Sequence, residues 1–152
     1  MNYLLDTNIV LIYLRDERTR EYIEKEYNPF GTENNPVISV VTAGEIKSIA
    51  RRNYWGNKRL KLLVSILDSL IIADINSQDV IDMYAEIDAF SQGRIKEKPL
   101  GQTSRNMGKN DIWIAATATV TNSRLITMDQ DFNHLDGEYL KLILIERYQA
   151  KK

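Results

Sequence analysis

Short apolar runs alternate with amphipathic segments along the chain, and this alternation restricts the possible folds more than any other feature. The runs have the length of strands and are predicted at Asn2–Leu5, Val37–Val40, Leu70–Ala73, Arg124–Thr127 and Leu140–Ile145. Strands that alternate with helices usually form a parallel sheet covered by helices on both faces. The sequence therefore predicts a three-layer α/β/α fold with a mainly parallel central sheet of about five strands.

Two of the predicted helices bear directly on function. Residues 42–45, Thr-Ala-Gly-Glu, match the capping-box pattern, which predicts a helix that starts at Thr42 and runs to about Arg52. Residues 111–120 are apolar on most sides, so the helix that Asp111 opens is predicted to be buried in the centre of the domain.

The length of 152 residues favours a single domain, which we place at residues 1–148 with a tail at 149–152. Residues 91–109 are rich in Gly, Lys and Arg, which predicts a mobile loop that acts as a lid over a bound substrate. The chain contains neither a signal peptide nor an apolar stretch of membrane-spanning length. These features predict a cytoplasmic protein with no membrane association.

Composition removes several kinds of catalytic site. The chain has no cysteine and a single histidine, His134. Thiolate nucleophiles, iron–sulfur clusters and Cys- or His-rich zinc sites are therefore excluded, and a Ser-His-Asp triad is disfavoured. Carboxylates, hydroxyls, Lys and Arg remain for catalysis, and His134 is interpreted as a packing or surface residue.

Four acidic residues stand where apolar segments end or begin: Asp6, Glu45, Asp111 and Asp129. Ligands of open parallel sheets bind beyond the carboxyl ends of the strands, which is the rim that these segments share. Carboxylates about 6 Å apart repel each other by roughly 3 kcal/mol per pair at an effective dielectric near 20. Protonation or a bound cation must relieve this repulsion, and oxygen ligands select Mg²⁺ or Mn²⁺.

Each acid also has a purely structural interpretation. Asp6 is suited to cap a helix or form an Asx turn, and Glu45 to complete the capping box. Asp111 lies where the helix macrodipole favours an acid, and Asp129 lies in a turn. Only their joint placement favours the metal site, so both interpretations stay open at the level of the residues.

Four motifs extend the argument: LLDTNIVLIYL, ISVVTAGEI, NDIWIAATA and LITMDQDF, which together span residues 4–132. In this order they resemble the PIN-domain ribonucleases, and among those the VapC-like toxins of prokaryotic toxin–antitoxin pairs. The resemblance implies that Asp6, Glu45, Asp111 and Asp129 form the catalytic and metal-binding quartet, supported by Asn8 and Thr127. Asp131 competes with Asp129 for the fourth position, although the spacing from Thr127 favours Asp129.

The resemblance also implies an activity. The expected function is a metal-dependent endoribonuclease in which Mg²⁺ or Mn²⁺ activates a water for attack on a phosphodiester, leaving a 5′-phosphate and a 3′-hydroxyl. The alternative is a catalytically weak PIN domain that serves as a nucleic-acid or protein-binding module. The implied partners are an RNA substrate, a cognate antitoxin and a second copy of the chain. Five apolar residues are too many for one core, so some of them are candidates for a surface that binds the antitoxin or a second copy of the chain: Tyr13, Leu14, Leu60, Leu63 and Leu67.

Substrate contacts are predicted from local basic groups, because the net charge of −1 and pI of about 5.9 give no global attraction to nucleic acid. The candidates for binding RNA phosphates are Lys109, Arg105, Arg51 and Arg52. Lys109 has the best case because it adjoins Asp111. The alternative for the whole set is a solvated helix face and a mobile loop.

Overall fold

The computed structural model describes residues 1–146. Its strands are β1 Asn2–Leu5, β2 Asn35–Ser39, β3 Ile71–Ala73, β4 Ser123–Thr127 and β5 Lys141–Leu144. Its helices are α1 Thr7–Arg15, α2 Glu17–Glu26, α3 Val40–Arg52, α4 Asn57–Asp68, α5 Gln78–Ser91 and α6 Lys109–Val120, and a short 3₁₀ helix spans Gln130–Leu135.

The five strands form one sheet in the order β3-β2-β1-β4-β5, and every neighbouring pair is parallel. The predicted fold class is confirmed. The carboxyl ends of the central strands β1 and β4 therefore lie side by side, with Leu5 paired to Ile126. Whatever follows these two strands is brought to the same rim.

Alternate residues of the central strands face two separate apolar layers. Leu5 and Ile126 pack with the helices α1 to α4, whereas Leu4 and Leu125 pack with α5, α6 and the 3₁₀ helix. All four side chains are fully buried. A sheet buried on both faces needs continuous apolar strands, which explains why the strands of this sequence lack a polar alternation.

The predicted start of α3 is wrong. The helix begins at Val40, and its N-cap is Ser39, whose hydroxyl accepts a hydrogen bond from the Val41 N–H at 3.1 Å. Thr42 is fully buried inside the helix and contacts the Thr7 hydroxyl at 3.3 Å. The capping box is therefore not formed, and Glu45 has no capping role. Ser39 forms the cap because it is the last residue of β2, where the chain is still extended.

The segment between α5 and α6 has neither helix nor strand, but its second half is fixed. The Arg105 N–H donates to the Ser91 carbonyl at 2.7 Å, and the side chain of Met107 is buried. The predicted tail at 149–152 lies outside the described residues. Within residues 1–146, no helix is both long and apolar enough to cross a membrane.

Helix α4 is the least buried helix of its layer. Leu63 is its buried residue, whereas Leu60 and Val64 are 38% and 57% exposed. Tyr13 and Leu14, which share the core with Leu63, are buried. Of the five predicted residues, only Leu60 is therefore exposed, Leu67 packs partly buried against the core, and a partner surface at this helix stays a prediction.

Candidate functional site

Asp6 lies between β1 and α1, with 4% of its surface exposed. One carboxylate oxygen, Oδ1, accepts a hydrogen bond from the Thr7 N–H at 2.7 Å, so Asp6 does cap α1. The other oxygen accepts from the Thr127 hydroxyl at 2.6 Å and from the Asn8 amide at 3.3 Å. The capping role and the rim position therefore coexist in one side chain.

The two predicted supporting residues connect Asp6 to the end of β4. The Thr127 hydroxyl, which donates to Asp6, also accepts from the Asp129 N–H at 2.9 Å. The side-chain Oδ1 of Asn8 accepts from the Met128 N–H at 3.2 Å. Asp6 and Asp129 thus have their positions set by the same hydroxyl group.

Glu45 joins three helices. Its Oε1 accepts from the Thr7 hydroxyl at the start of α1, and its Oε2 accepts from the Asn110 amide of α6 at 2.9 Å. Glu45 itself lies on α3 and is partly buried. These two hydrogen bonds hold its carboxylate at the rim, although it is far from Thr7 and Asn110 in the sequence.

Asp111 lies in the first turn of α6 and interacts electrostatically with all of the other acids described here. Its pKa is raised to about 7, first by burial and then by the charges of Asp6, Asp129, Glu45 and Asp131, in that order of strength. Burial also raises the pKa of Asp6, opposed by the hydrogen bonds from Thr127 and Thr7. Five acids from four segments of the chain therefore share one electrostatic environment, and this group is called the acidic cleft below.

The tightest part of the acidic cleft is formed by Asp111, Asp129 and Asp131, which offer carboxylate oxygens within 4.8 Å of one another. Asp129 caps the 3₁₀ helix by accepting from the Asp131 N–H at 2.9 Å. The structure thus brings both candidates for the fourth acid to Asp111 instead of choosing between them. An all-oxygen donor set of this kind fits Mg²⁺ or Mn²⁺.

Sequence reasoning missed two groups that shape the acidic cleft, Thr7 and Asn110. Both donate hydrogen bonds to Glu45. Each adjoins a predicted acid, since Thr7 follows Asp6 and Asn110 precedes Asp111. Their position beside a predicted acid is the sequence feature that could have identified these two residues. The acceptor of each hydrogen bond, however, depends on the tertiary structure.

The predicted RNA-binding residues fall at different places. Arg105 reaches the acidic cleft, where its Nη1 lies 3.9 Å from the Asp131 Oδ1. Lys109 is the exposed first residue of α6. Arg52 lines a depression of about 570 Å³ that also contains Glu45 and Asn110. Arg51 instead lines an apolar groove between α3 and α4, so these two neighbouring arginines do not serve one surface.

Solved structures with the same fold include several complexes. VapBC2 from Rickettsia felis, bound to a DNA fragment from its promoter, is 22% identical with a TM-score of 0.69 and covers 96% of this chain and 100% of its own. A toxin–antitoxin complex from Klebsiella pneumoniae is 20% identical with a TM-score of 0.67, over 97% and 98%. VapBC-5 from Mycobacterium tuberculosis, of the VapBC family of toxin–antitoxin systems, is 24% identical with a TM-score of 0.60, over 95% and 98%.

A comparison with curated protein sequences found no match. The family model of the PIN domain matches residues 3–138, which include all five acids of the acidic cleft. The match covers most of the chain. The chain belongs to the PIN domain family.

Proposed function

We propose that this protein is a metal-dependent endoribonuclease that hydrolyses RNA phosphodiester bonds and acts as the toxin of a toxin–antitoxin pair. The observation that carries the proposal is the position of Asp111, whose pKa is raised to about 7 by burial and by four neighbouring carboxylates. A stable fold gains nothing from so much clustered negative charge. Such groups mark functional sites because binding a cation there relieves the repulsion.

The proposed cation is Mg²⁺ or Mn²⁺, held by Asp6, Glu45, Asp111 and Asp129, with Asp131 beside them. When bound, an ion of this kind supplies a water of lowered pKa and stabilises charge on the phosphate oxygens. The residues of the chain keep the carboxylates oriented. Thr127 fixes Asp6, and Thr7 and Asn110 fix Glu45. Hydrogen bonds to the ligands of a metal orient these ligands and strongly affect the metal affinity and the activity of the site.

Asp111 contributes the pH dependence of the proposed site. Its carboxyl group must lose a proton before it can act as a ligand, and its pKa of about 7 means that protons compete with the cation near neutral pH. No histidine lies among these acids, so activation of the attacking water would fall to the cation that they would hold. His134 is buried and bonded to Ser91, away from this role.

The proposed partners are RNA, a cognate antitoxin and a second copy of the chain. The relative from Klebsiella pneumoniae is a toxin–antitoxin complex, which supports the antitoxin. The exposed apolar side chains of α4, together with the groove between α3 and α4, offer a surface for a protein partner. The basic residues Lys109 and Arg52 lie near the acidic cleft and support an RNA substrate.

Incubation of the purified protein with structured cellular RNA tests the activity directly. Cleavage is expected with Mn²⁺ or Mg²⁺, to end when EDTA is added, and to leave 5′-phosphate termini. Binding of RNA without any cleavage in the presence of either ion would contradict the nuclease and favour a catalytically weak binding module.

Replacing Thr127 with valine removes the hydroxyl that serves both Asp6 and Asp129 while keeping the shape of the side chain. We expect RNA cleavage to fall about 10–100-fold, the usual loss when a group that orients a metal ligand is removed. The matched control is Thr117→Val, because the buried Thr117 hydroxyl bonds the Trp113 carbonyl within α6. Equal losses in the two variants, measured as initial cleavage rates, would contradict this role.

The adjacent residues Arg52 and Arg51 provide a matched pair for RNA binding. Arg52 shares a depression with Glu45, whereas Arg51 faces the groove between α3 and α4. Replacing Arg52 with alanine is expected to weaken RNA binding and to lower the slope of log affinity against log salt by about 1. The Arg51→Ala variant should retain the wild-type slope. Fluorescence anisotropy titrations measure both slopes. A lowered slope for Arg51→Ala together with a wild-type slope for Arg52→Ala would place the RNA in the groove between α3 and α4.

A further inference from the structure

Two cations of the segment between α5 and α6 have well-defined and different partners. The Lys98 ammonium group pairs with Glu86 at 3.4 Å and lies over the ring of Tyr139. Arg105 points the other way, with its guanidinium group 3.9 Å from Asp131. Lys98 is therefore engaged with α5 and with the segment that precedes β5, while Arg105 is directed at the acidic cleft.

The position of Arg105 is fixed by a buried contact. Its N–H donates to the Ser91 carbonyl at 2.7 Å, and two residues later the Met107 sulfur accepts from the Ser91 hydroxyl at 3.3 Å. The same hydroxyl is hydrogen bonded to the His134 Nε2 at 2.7 Å. His134 belongs to the 3₁₀ helix that also carries Asp131. The segment that holds Arg105 and the helix that holds Asp131 are thus joined at Ser91.

We propose that Arg105 is a counter-ion built into the chain, which neutralises Asp131 in the metal-free protein and competes with the divalent cation for the acidic cleft. The inference rests on the proposed metal site. Asp131 is one of the three residues whose carboxylate oxygens lie within 4.8 Å of one another. A fixed positive charge beside that group lowers the negative potential that attracts a cation, so the metal must bind against the charge of Arg105.

The expected effect is modest because the pair is partly solvated, with side chains 37% and 66% exposed. Ion pairs of this exposure change equilibria by about 1.5-fold to fivefold, which sets the gain in metal affinity expected when Arg105 is removed. Salt at 1 M reduces the Debye length to about 3 Å and should shrink the gain. The metal-free protein should become slightly less stable, because Asp131 loses its neutralising partner.

The test is calorimetric titration of the full chain with Mn²⁺ in low salt, comparing wild type with Arg105→Gln. The variant should bind Mn²⁺ about 1.5-fold to fivefold more tightly, with a lower melting temperature in EDTA. Arg94→Gln is the control for net charge, since Arg94 is an exposed residue of the same segment. It should bind Mn²⁺ like wild type.

Three outcomes overturn the inference. Unchanged or weaker Mn²⁺ binding by Arg105→Gln shows that Arg105 does not compete with the cation, and a role only in RNA binding gives this result. Equal tightening in Arg105→Gln and Arg94→Gln shows a general charge effect. Absence of Mn²⁺ binding by all three proteins would overturn the proposed function itself, and the inference with it.

Discussion

Replacing Asp111 with asparagine will remove most of the metal-dependent RNA cleavage and will also make the metal-free protein more stable. The carboxylate is partly buried among four other acids, so its charge is costly to the fold. Asparagine keeps the size of the side chain and removes that charge. We expect cleavage to fall at least about 100-fold, because a direct ligand should matter more than the groups that orient it. The melting temperature in EDTA at pH 8 should rise by about 2–6 °C.

The matched control for this prediction is Asp79→Asn. Asp79 is an exposed acid in the first turn of α5, the position that Asp111 occupies in α6. If the acid in the first turn serves only the helix macrodipole, both substitutions should be slightly destabilising and neither should affect cleavage. Our account requires opposite signs for the two changes in melting temperature. Full activity or reduced stability of Asp111→Asn would contradict it.

In the absence of metal, the protein will lose stability as the pH rises from 5 to 8. The pKa of Asp111 is raised from 3.8 to about 7 in the folded protein. Between these values the folded state binds more protons than the unfolded state, so the free energy of unfolding decreases as the pH increases. The loss should level off above the folded pKa. The raised pKa of Asp6 acts in the same direction.

Thermal denaturation in EDTA at several pH values measures this effect, with Asp111→Asn as the reference. The difference between wild type and variant isolates Asp111 from groups such as His134, whose lowered pKa acts in the opposite direction. We expect the wild type to lose about 4 °C relative to the variant between pH 5 and pH 8. Added Mn²⁺ should stabilise the wild type more at pH 8 than at pH 5, because protons no longer compete. Parallel curves for the two proteins would contradict the shifted pKa.

The parallel character of the sheet and the rim position of Asp6 and Asp129 were predictable because each follows from local patterns. Apolar runs of strand length specify a buried parallel sheet, and the geometry of such a sheet takes the residue after each strand to one rim. Asp6 and Asp129 follow β1 and β4, which are neighbours in the sheet. Their closeness therefore required no knowledge of side-chain contacts.

The details that sequence reasoning missed depend on contacts between distant segments. The start of α3 was predicted at Thr42 because the capping-box pattern is present, but Thr42 is buried against Thr7 and Ser39 forms the cap. The neighbours Arg51 and Arg52 looked equivalent, yet the rotation of about 100° between consecutive helical residues places them on different surfaces. Register within a helix and the choice among competing hydrogen-bond partners are set by packing, which a single sequence does not display.

The central claim is that carboxylates from separate segments hold one divalent cation between β1, α3, α6 and the end of β4. Crystals of the wild-type protein soaked in Mn²⁺ and measured for anomalous scattering test it most directly. We predict an anomalous peak within coordination distance of carboxylate oxygens of Asp6, Asp111 and Asp129. An acidic cleft without a peak at saturating Mn²⁺, or Mn²⁺ bound only elsewhere on the molecule, would contradict the claim.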